Sequence, residues 1–180
     1  MMFNSIRYRG FTLVELLVVI AIIAILASVV ILIINPLELM RRSKDSVRLK
    51  DLDNLQQAIN VSIQESTTSL VSILCKDSGE YPCAGSSHIN SRLTNGSGWV
   101  KANLAVQNSV TVPTLPVDPL NNADYHYTYC ADDDKWEIDA ALESNMLRSK
   151  AYSDGGDSPG YYETGSNLNL IAYMGGSCTY

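Results

Sequence analysis

Apolar side chains fill residues 11–34 with three interruptions, Thr12, Glu15 and Ser28. At about 1.5 Å of rise per residue, a helix over this stretch is about 36 Å long, enough to cross the ~30 Å hydrocarbon core of a bilayer with some tilt. Asn35-Pro36 follows at once. A proline pushes its predecessor away from the helical region, so a kink or break is expected where the helix leaves lipid. Beyond it the period changes. Leu52, Leu55, Ile59 and Ile63 recur at spacings of three and four, with Lys50, Asp51, Asp53, Asn54, Gln56 and Gln57 between them, which predicts an amphipathic continuation over residues 35–65. Both stretches together are expected to form one rod bent near Pro36. Nothing upstream can cover the apolar stripe, so the head, residues 66–180, must fold back onto it.

The head has parts suited to that task. Tyr125, Tyr127 and Tyr129 alternate with His126, Thr128 and Cys130; Trp136, Ile138, Ala140 and Leu142 alternate with Lys135, Glu137, Asp139 and Ala141. Period-two alternation of this kind predicts half-buried strands. Ala131-Asp132-Asp133-Asp134 is a connection of hairpin length, so the two strands should be antiparallel neighbours. A third strand is placed at residues 168–174. Residues 75–119, rich in Gly, Ser, Asn and Pro, show little periodicity and predict a long connecting region. The predicted fold class is α+β: a long N-terminal helix packed against a small antiparallel sheet.

Glu15 is the anomaly of the apolar run. A carboxylate about one turn inside a membrane helix costs from a fraction of a kcal/mol near the interface to ~2.5–3.5 kcal/mol at the centre, and charges so placed usually have a partner. The flanking order is also unusual. A secretory signal has its cleavage site after the apolar stretch, whereas here Arg7, Arg9 and Gly10 precede it. Cleavage at Gly10 would remove a short polar leader, residues 1–10, and leave the anchor on the product.

Arg9-Gly10-Phe11-Thr12-Leu13-Val14-Glu15-Leu16-Leu17 resembles the processing motif of type IV prepilins and pseudopilins. The resemblance implies cleavage between Gly10 and Phe11 by a membrane-embedded prepilin peptidase, methylation of the new amino terminus at Phe11, and pairing of Glu15 with the Phe11 ammonium of a neighbouring subunit. Such a pair, formed where water is scarce, can act as a register check during assembly. The implied partners are identical or homologous subunits, the peptidase, the membrane, and an inner-membrane assembly platform driven by a cytoplasmic ATPase, since the chain has no nucleotide-binding loop. The implied location is the bacterial inner membrane with the head extracytoplasmic, then a periplasmic or surface filament. A long helix followed by a meander of strands is similar to the pilin architecture, and Leu115-Pro116-Val117-Asp118-Pro119-Leu120-Asn121 resembles a segment of major pseudopilins in type II secretion. Many members carry a proline in the second half of the membrane helix; this chain has Leu32 there and Pro36 a turn later.

Charge and cysteines narrow the functional classes. The 180 residues carry a net charge of −6, and loss of Arg7 and Arg9 makes the balance more acidic, which disfavours nucleic-acid binding by the surface as a whole. Arg41, Arg42, Lys44, Arg48 and Lys50 oppose the orientation the motif implies by the positive-inside tendency. Their interleaving with Glu38, Asp45, Asp51 and Asp53 allows local neutralisation. Four cysteines, Cys75, Cys83, Cys130 and Cys178, all follow the anchor without close metal-binding spacing. Of the three possible pairings, proximity favours Cys75 with Cys83, leaving Cys130 for Cys178.

No enzymatic set emerges. His88 and His126 have no evident carboxylate or cysteine partner in sequence, and Asp132-Asp133-Asp134 reads as a solvated turn. Asp154-Gly155-Gly156-Asp157-Ser158-Pro159-Gly160 offers oxygen ligands on flexible backbone and resembles, loosely, the calcium-holding loop of major pseudopilins. Asp154 and Asp157 are therefore candidate calcium ligands against a solvated turn; no cofactor is otherwise required. Two functions fit: a structural filament subunit, and a minor tip-located or tethered pilin-like module that binds DNA, sugar or a surface.

Overall fold

The computed structural model describes residues 10–105, 109, 112–171 and 176–178. They fall in two compact units, one ending at Leu39 and the other starting at Met40. In the first, α1 (Leu13–Ile34) ends at Asn35, whose backbone is left-handed with φ 43° and ψ 80°; asparagine tolerates that region better than most residues. Helix α2 (Pro36–Glu65) then opens on proline, whose missing N–H costs no bond at a first helical position. The Asn35 carbonyl accepts the Glu38 and Leu39 amides at 3.1 and 3.3 Å. The expected bend is thus a complete break of helical geometry over one residue.

The described side chains of α1 are all exposed, and Leu13–Ile31 is long and apolar enough to cross a membrane. A helix apolar on every face with no protein over it requires lipid or other helices as its surroundings.

In the second unit, four antiparallel strands lie in the order β1 (Cys83–Ser86), β2 (Tyr127–Asp132), β3 (Lys135–Ala141) and β4 (Tyr161–Gly165). Short helices α3 (Leu70–Leu74) and α4 (Arg148–Ala151) sit in the connections. Tyr127, Tyr129, Trp136, Ile138 and Ala140 face one side of the sheet and close on Leu52, Leu55, Ala58 and Ile59 of α2, with Trp99, Val100, Leu104 and Leu115 completing the core. Each large side chain so buried contributes roughly 1.5–3 kcal/mol. Residues 75–119 thus carry β1 and contribute a few core side chains, while most of their described positions stay partly or fully exposed.

Two expectations change. The strand placed at 168–174 is not formed over 168–171, which are turn and bend, while 172–174 lie outside the described residues; the additional strand at the far edge is β4. And β2 and β3 are not half-buried. Thr128, Glu137 and Asp139 on the second face are buried as well, because residues around Leu170 and Cys178 pack on Cys130 there. The disulfides are Cys75–Cys83 and Cys130–Cys178. The second fastens this covering segment across 48 residues of chain.

Candidate functional site

At the start of α1 the chain shows what Glu15 does within one molecule. Thr12 is the N-cap. Its hydroxyl accepts the Glu15 amide at 3.2 Å, and the Thr12 amide and hydroxyl both donate to Glu15 Oε2 at 2.8 Å. This reciprocal capping box satisfies donors that a helix start leaves open. The pattern Thr-x-x-Glu was readable in the sequence, yet the reading of Glu15 as a lone charge missed Thr12. Both bonds use the same oxygen, and among the described residues none donates to Oε1. Gly10 is exposed, and a Cβ built on it meets nothing within 4 Å. Its fold imposes no need for glycine. The rest of the leader, residues 1–9 with Arg7 and Arg9, lies outside the described residues.

A second arrangement lies on the outer face of the sheet. Asp139 stands directly opposite Glu163 in the β3–β4 register, and Glu137 lies two residues along the same face. One oxygen from each carboxylate lies within 4.8 Å of the other two. All three residues are buried, at 0, 3 and 2 % exposure for Glu137, Asp139 and Glu163. Glu137 Oε2 accepts the Leu170 and Ile171 amides at 2.7 and 2.8 Å, and Glu163 Oε1 accepts the Ser158 amide at 3.1 Å. Among the described residues no donor group reaches Glu137 Oε1, Asp139 Oδ1 or Glu163 Oε2; Glu137 and Asp139 instead share a side-chain hydrogen bond, which requires a proton on one of them. Burial, then the charges of Glu137 and Glu163, push Asp139 well above the usual carboxylate range. Burial with the charges of Glu137 and Asp154 pushes Glu163 up to about 7. Sequence reasoning missed this trio because alternation assigned Glu137 and Asp139 to solvent. The available signal was Cys130, which shares their face and whose disulfide draws the later chain over them.

The two aspartates singled out for calcium are close by, and both accept hydrogen bonds. Asp154 accepts the Gly156 amide at 3.0 Å and the Glu163 amide at 2.9 Å, one on each oxygen. Asp157 accepts the Ser158 hydroxyl at 3.3 Å. His88 and His126 come together with ring centroids 6.3 Å apart, each Nδ1 set 3.1 Å from a backbone carbonyl, of Asn121 and Asn122. That geometry orients two rings but assembles no nucleophile.

The most heavily charged site in the core is structural. Arg48 on α2 is fully buried. Its Nε and Nη2 donate to the two oxygens of Asp118 at 2.5 and 2.9 Å, and its Nη1 donates to Asp45 at 2.7 Å. Nη1 also lies 2.7 Å from Glu143 Oε1, and Lys44 holds the other Glu143 oxygen at 2.7 Å. Asp45 further accepts the Glu143 and Ser144 amides at 2.9 and 2.7 Å. Burial alone would raise the Asp45 carboxyl; those amides and Arg48 outweigh it and hold it below the usual aspartate range. A depressed folded-state value contributes stability that is present above the unfolded value and lost as pH falls through the folded one. Acid titration of unfolding should show wild-type stability falling below about pH 4. Asp45→Asn should be weaker at neutral pH and lose less on acidification.

An apolar helix led by a glycine and a glutamate, joined in sequence to an α+β head with two disulfides, is a pilin-like α+β fold. Residues 6–31 match the prokaryotic N-terminal methylation motif, and this match supports membership of the type IV pilin and pseudopilin family, with processing by prepilin peptidase. Neither a curated protein nor a solved structure matches the chain significantly.

Proposed function

We propose that this chain is a structural, non-enzymatic subunit of a type IV pilus-like or type II secretion-like filament. It is held in the inner membrane by α1 until assembly, then moved out by a platform powered by a cytoplasmic ATPase. The observation that carries this reading is the exposure of α1 on every face, within the stretch that matches the methylation motif. Copies of such a helix can exchange lipid for one another, with close packing in place of a hydrophobic driving force. Prepilin peptidase would cut between Gly10 and Phe11 and the Phe11 nitrogen would be methylated. The lack of any packing reason for glycine at position 10 fits a requirement set by another protein. The new Phe11 ammonium of one subunit would meet Glu15 of the next, through the oxygen that the capping box does not use.

Intact-mass measurement of protein purified from its own membrane tests the processing. The expected product lacks Met1 to Gly10, carries one methyl group on Phe11, and is four hydrogens lighter for two disulfides. A full-length, unmethylated product overturns it.

A further inference from the structure

The two histidines of the chain, 38 positions apart in sequence, meet at one end of the sheet with the same nitrogen of each ring turned to a backbone carbonyl. We propose that His88 and His126 hold one divalent transition-metal ion of the kind imidazole prefers, zinc above all, through their Nε2 atoms. The pairing of β1 with β2 brings them together. Ser86 faces Thr128, the Ser87 amide donates to the Tyr127 carbonyl at 2.9 Å, and one step further the same count sets His88 against His126. Their ring centroids are 6.3 Å apart. Each Nδ1 lies 3.1 Å from a carbonyl oxygen, of Asn121 for His88 and of Asn122 for His126. A carbonyl can only accept, so each Nδ1 carries the proton and the lone pair of a neutral ring sits on Nε2. Among the described residues no group bonds to either Nε2. A backbone carbonyl on the second nitrogen is the arrangement that sets the tautomer of metal-binding histidines.

The frame beneath the rings is tied down. Ser87 and Asn121 bond twice, Ser87 Oγ to Asn121 Oδ1 at 2.8 Å and Asn121 Nδ2 to the Ser87 carbonyl at 3.1 Å. Asn122 Oδ1 accepts the Asp124 and Tyr125 amides at 3.0 and 2.9 Å, and the Asn122 amide donates to the Tyr125 carbonyl at 2.9 Å. Both anchoring carbonyls are thus fixed relative to the histidines they orient. His88 is exposed and His126 half-buried, so an ion can enter from water. A metal bound to an imidazole nitrogen at about 2.0–2.1 Å stands about 3.2 Å from the ring centroid, which lets two rings sharing one ion lie up to about 6.4 Å apart. The observed separation is inside that limit, and a tetrahedral angle asks the exposed His88 ring to close by about 1 Å. Imidazole suits zinc, copper and nickel, whereas carboxylate and carbonyl oxygens suit calcium and magnesium. All four cysteines are in disulfides, so no thiolate competes. Water completes the coordination, and the site does not depend on the filament role.

Calorimetric titration of the untagged full-length chain in detergent, stripped of metal with a chelator, provides the test. Zinc is the probe, with excess calcium present to occupy carboxylates. Zinc should bind at one per chain. His88→Ala and His126→Ala should each weaken it by at least the roughly 10-fold that loss of a mere supporting residue costs, and the two losses should not add in the double variant, because the ion is shared. In chelator both single variants should unfold within about 2 °C of wild type, as exposed positions do, and that separates lost binding from a damaged fold. Side-chain nitrogen NMR of wild type supplies a readout that needs no variant: zinc should shift Nε2 of both rings while each Nδ1 keeps its proton. Absence of zinc binding by wild type overturns the proposal, as does full affinity in either variant. Two ions per chain, each lost to a different variant, overturn it too, since the rings then bind separately.

Discussion

Glu15→Gln should abolish assembly while leaving the precursor in the membrane and its processing intact. Glutamine can serve the capping box as glutamate does, so the bond from the Thr12 amide to position 15 is kept and only the charge is lost. The Phe11 ammonium of an incoming subunit would then enter the apolar bundle without an anion, and an uncompensated buried charge costs about 3–5 kcal/mol. That corresponds to a drop in filament yield of at least about 100-fold, read by shearing and sedimentation beside a blot of total subunit. Thr12→Val supplies the contrast, since it breaks the cap, costs about 1 kcal/mol and keeps the charge. Normal filaments from Glu15→Gln with poor ones from Thr12→Val would assign Glu15 to helix capping alone and remove the charge pair from the mechanism.

The second large effect is expected at Arg48. Arg48→Met leaves Asp45, Asp118 and Glu143, all three within 2.7 Å of its nitrogens, gathered around a site with no guanidinium, and two of them, Asp45 and Asp118, are fully buried. Breaking a buried ion pair from one side typically costs about 3–5 kcal/mol, so thermal unfolding followed by circular dichroism should show Tm lower by about 10 °C or more. Arg48→Lys should fall between, because an ammonium keeps the charge but cannot bind Asp118 through two parallel donors. Adding Asp118→Leu to Arg48→Met should recover part of the loss, since one unpaired carboxylate is removed with its partner. If Arg48→Met unfolds with wild type, the network does not hold α2 to the rest of its unit.

What the sequence made legible follows its simplest periods. The run at residues 11–34 needs only counting, and Leu52, Leu55 and Ile59 mark the buried stripe because an exposed helix has no other reason for that spacing. Tyr127, Tyr129, Trp136 and Ile138 were equally plain, and two of the cysteines lie eight residues apart, which made their pairing readable. The rest depends on chain folding over chain. β4 is five residues with little alternation, and its pairing to β3 comes from neighbours rather than from its own pattern. Glu137 and Asp139 carry an outward-facing signature that is reversed only when the segment near Leu170 lies across them. Asp118, the main partner of Arg48, is 70 positions away, and no local pattern joins the two. The N-terminal motif was readable as a string, while the bond from Thr12 to Glu15 needed the helix start to be seen as a cap.

The bridge between Cys130 and Cys178 also sets how the head would respond to mechanical tension. Cys130 belongs to β2, which has strands on both sides, so a tug on residues 176–178 is delivered by a covalent link into the interior of the sheet. Hydrogen bonds of the covering segment then do not open one at a time from its free edge. An oxidised head would resist peeling until β2 itself gives way, whereas a reduced one would shed that layer first under a much smaller force.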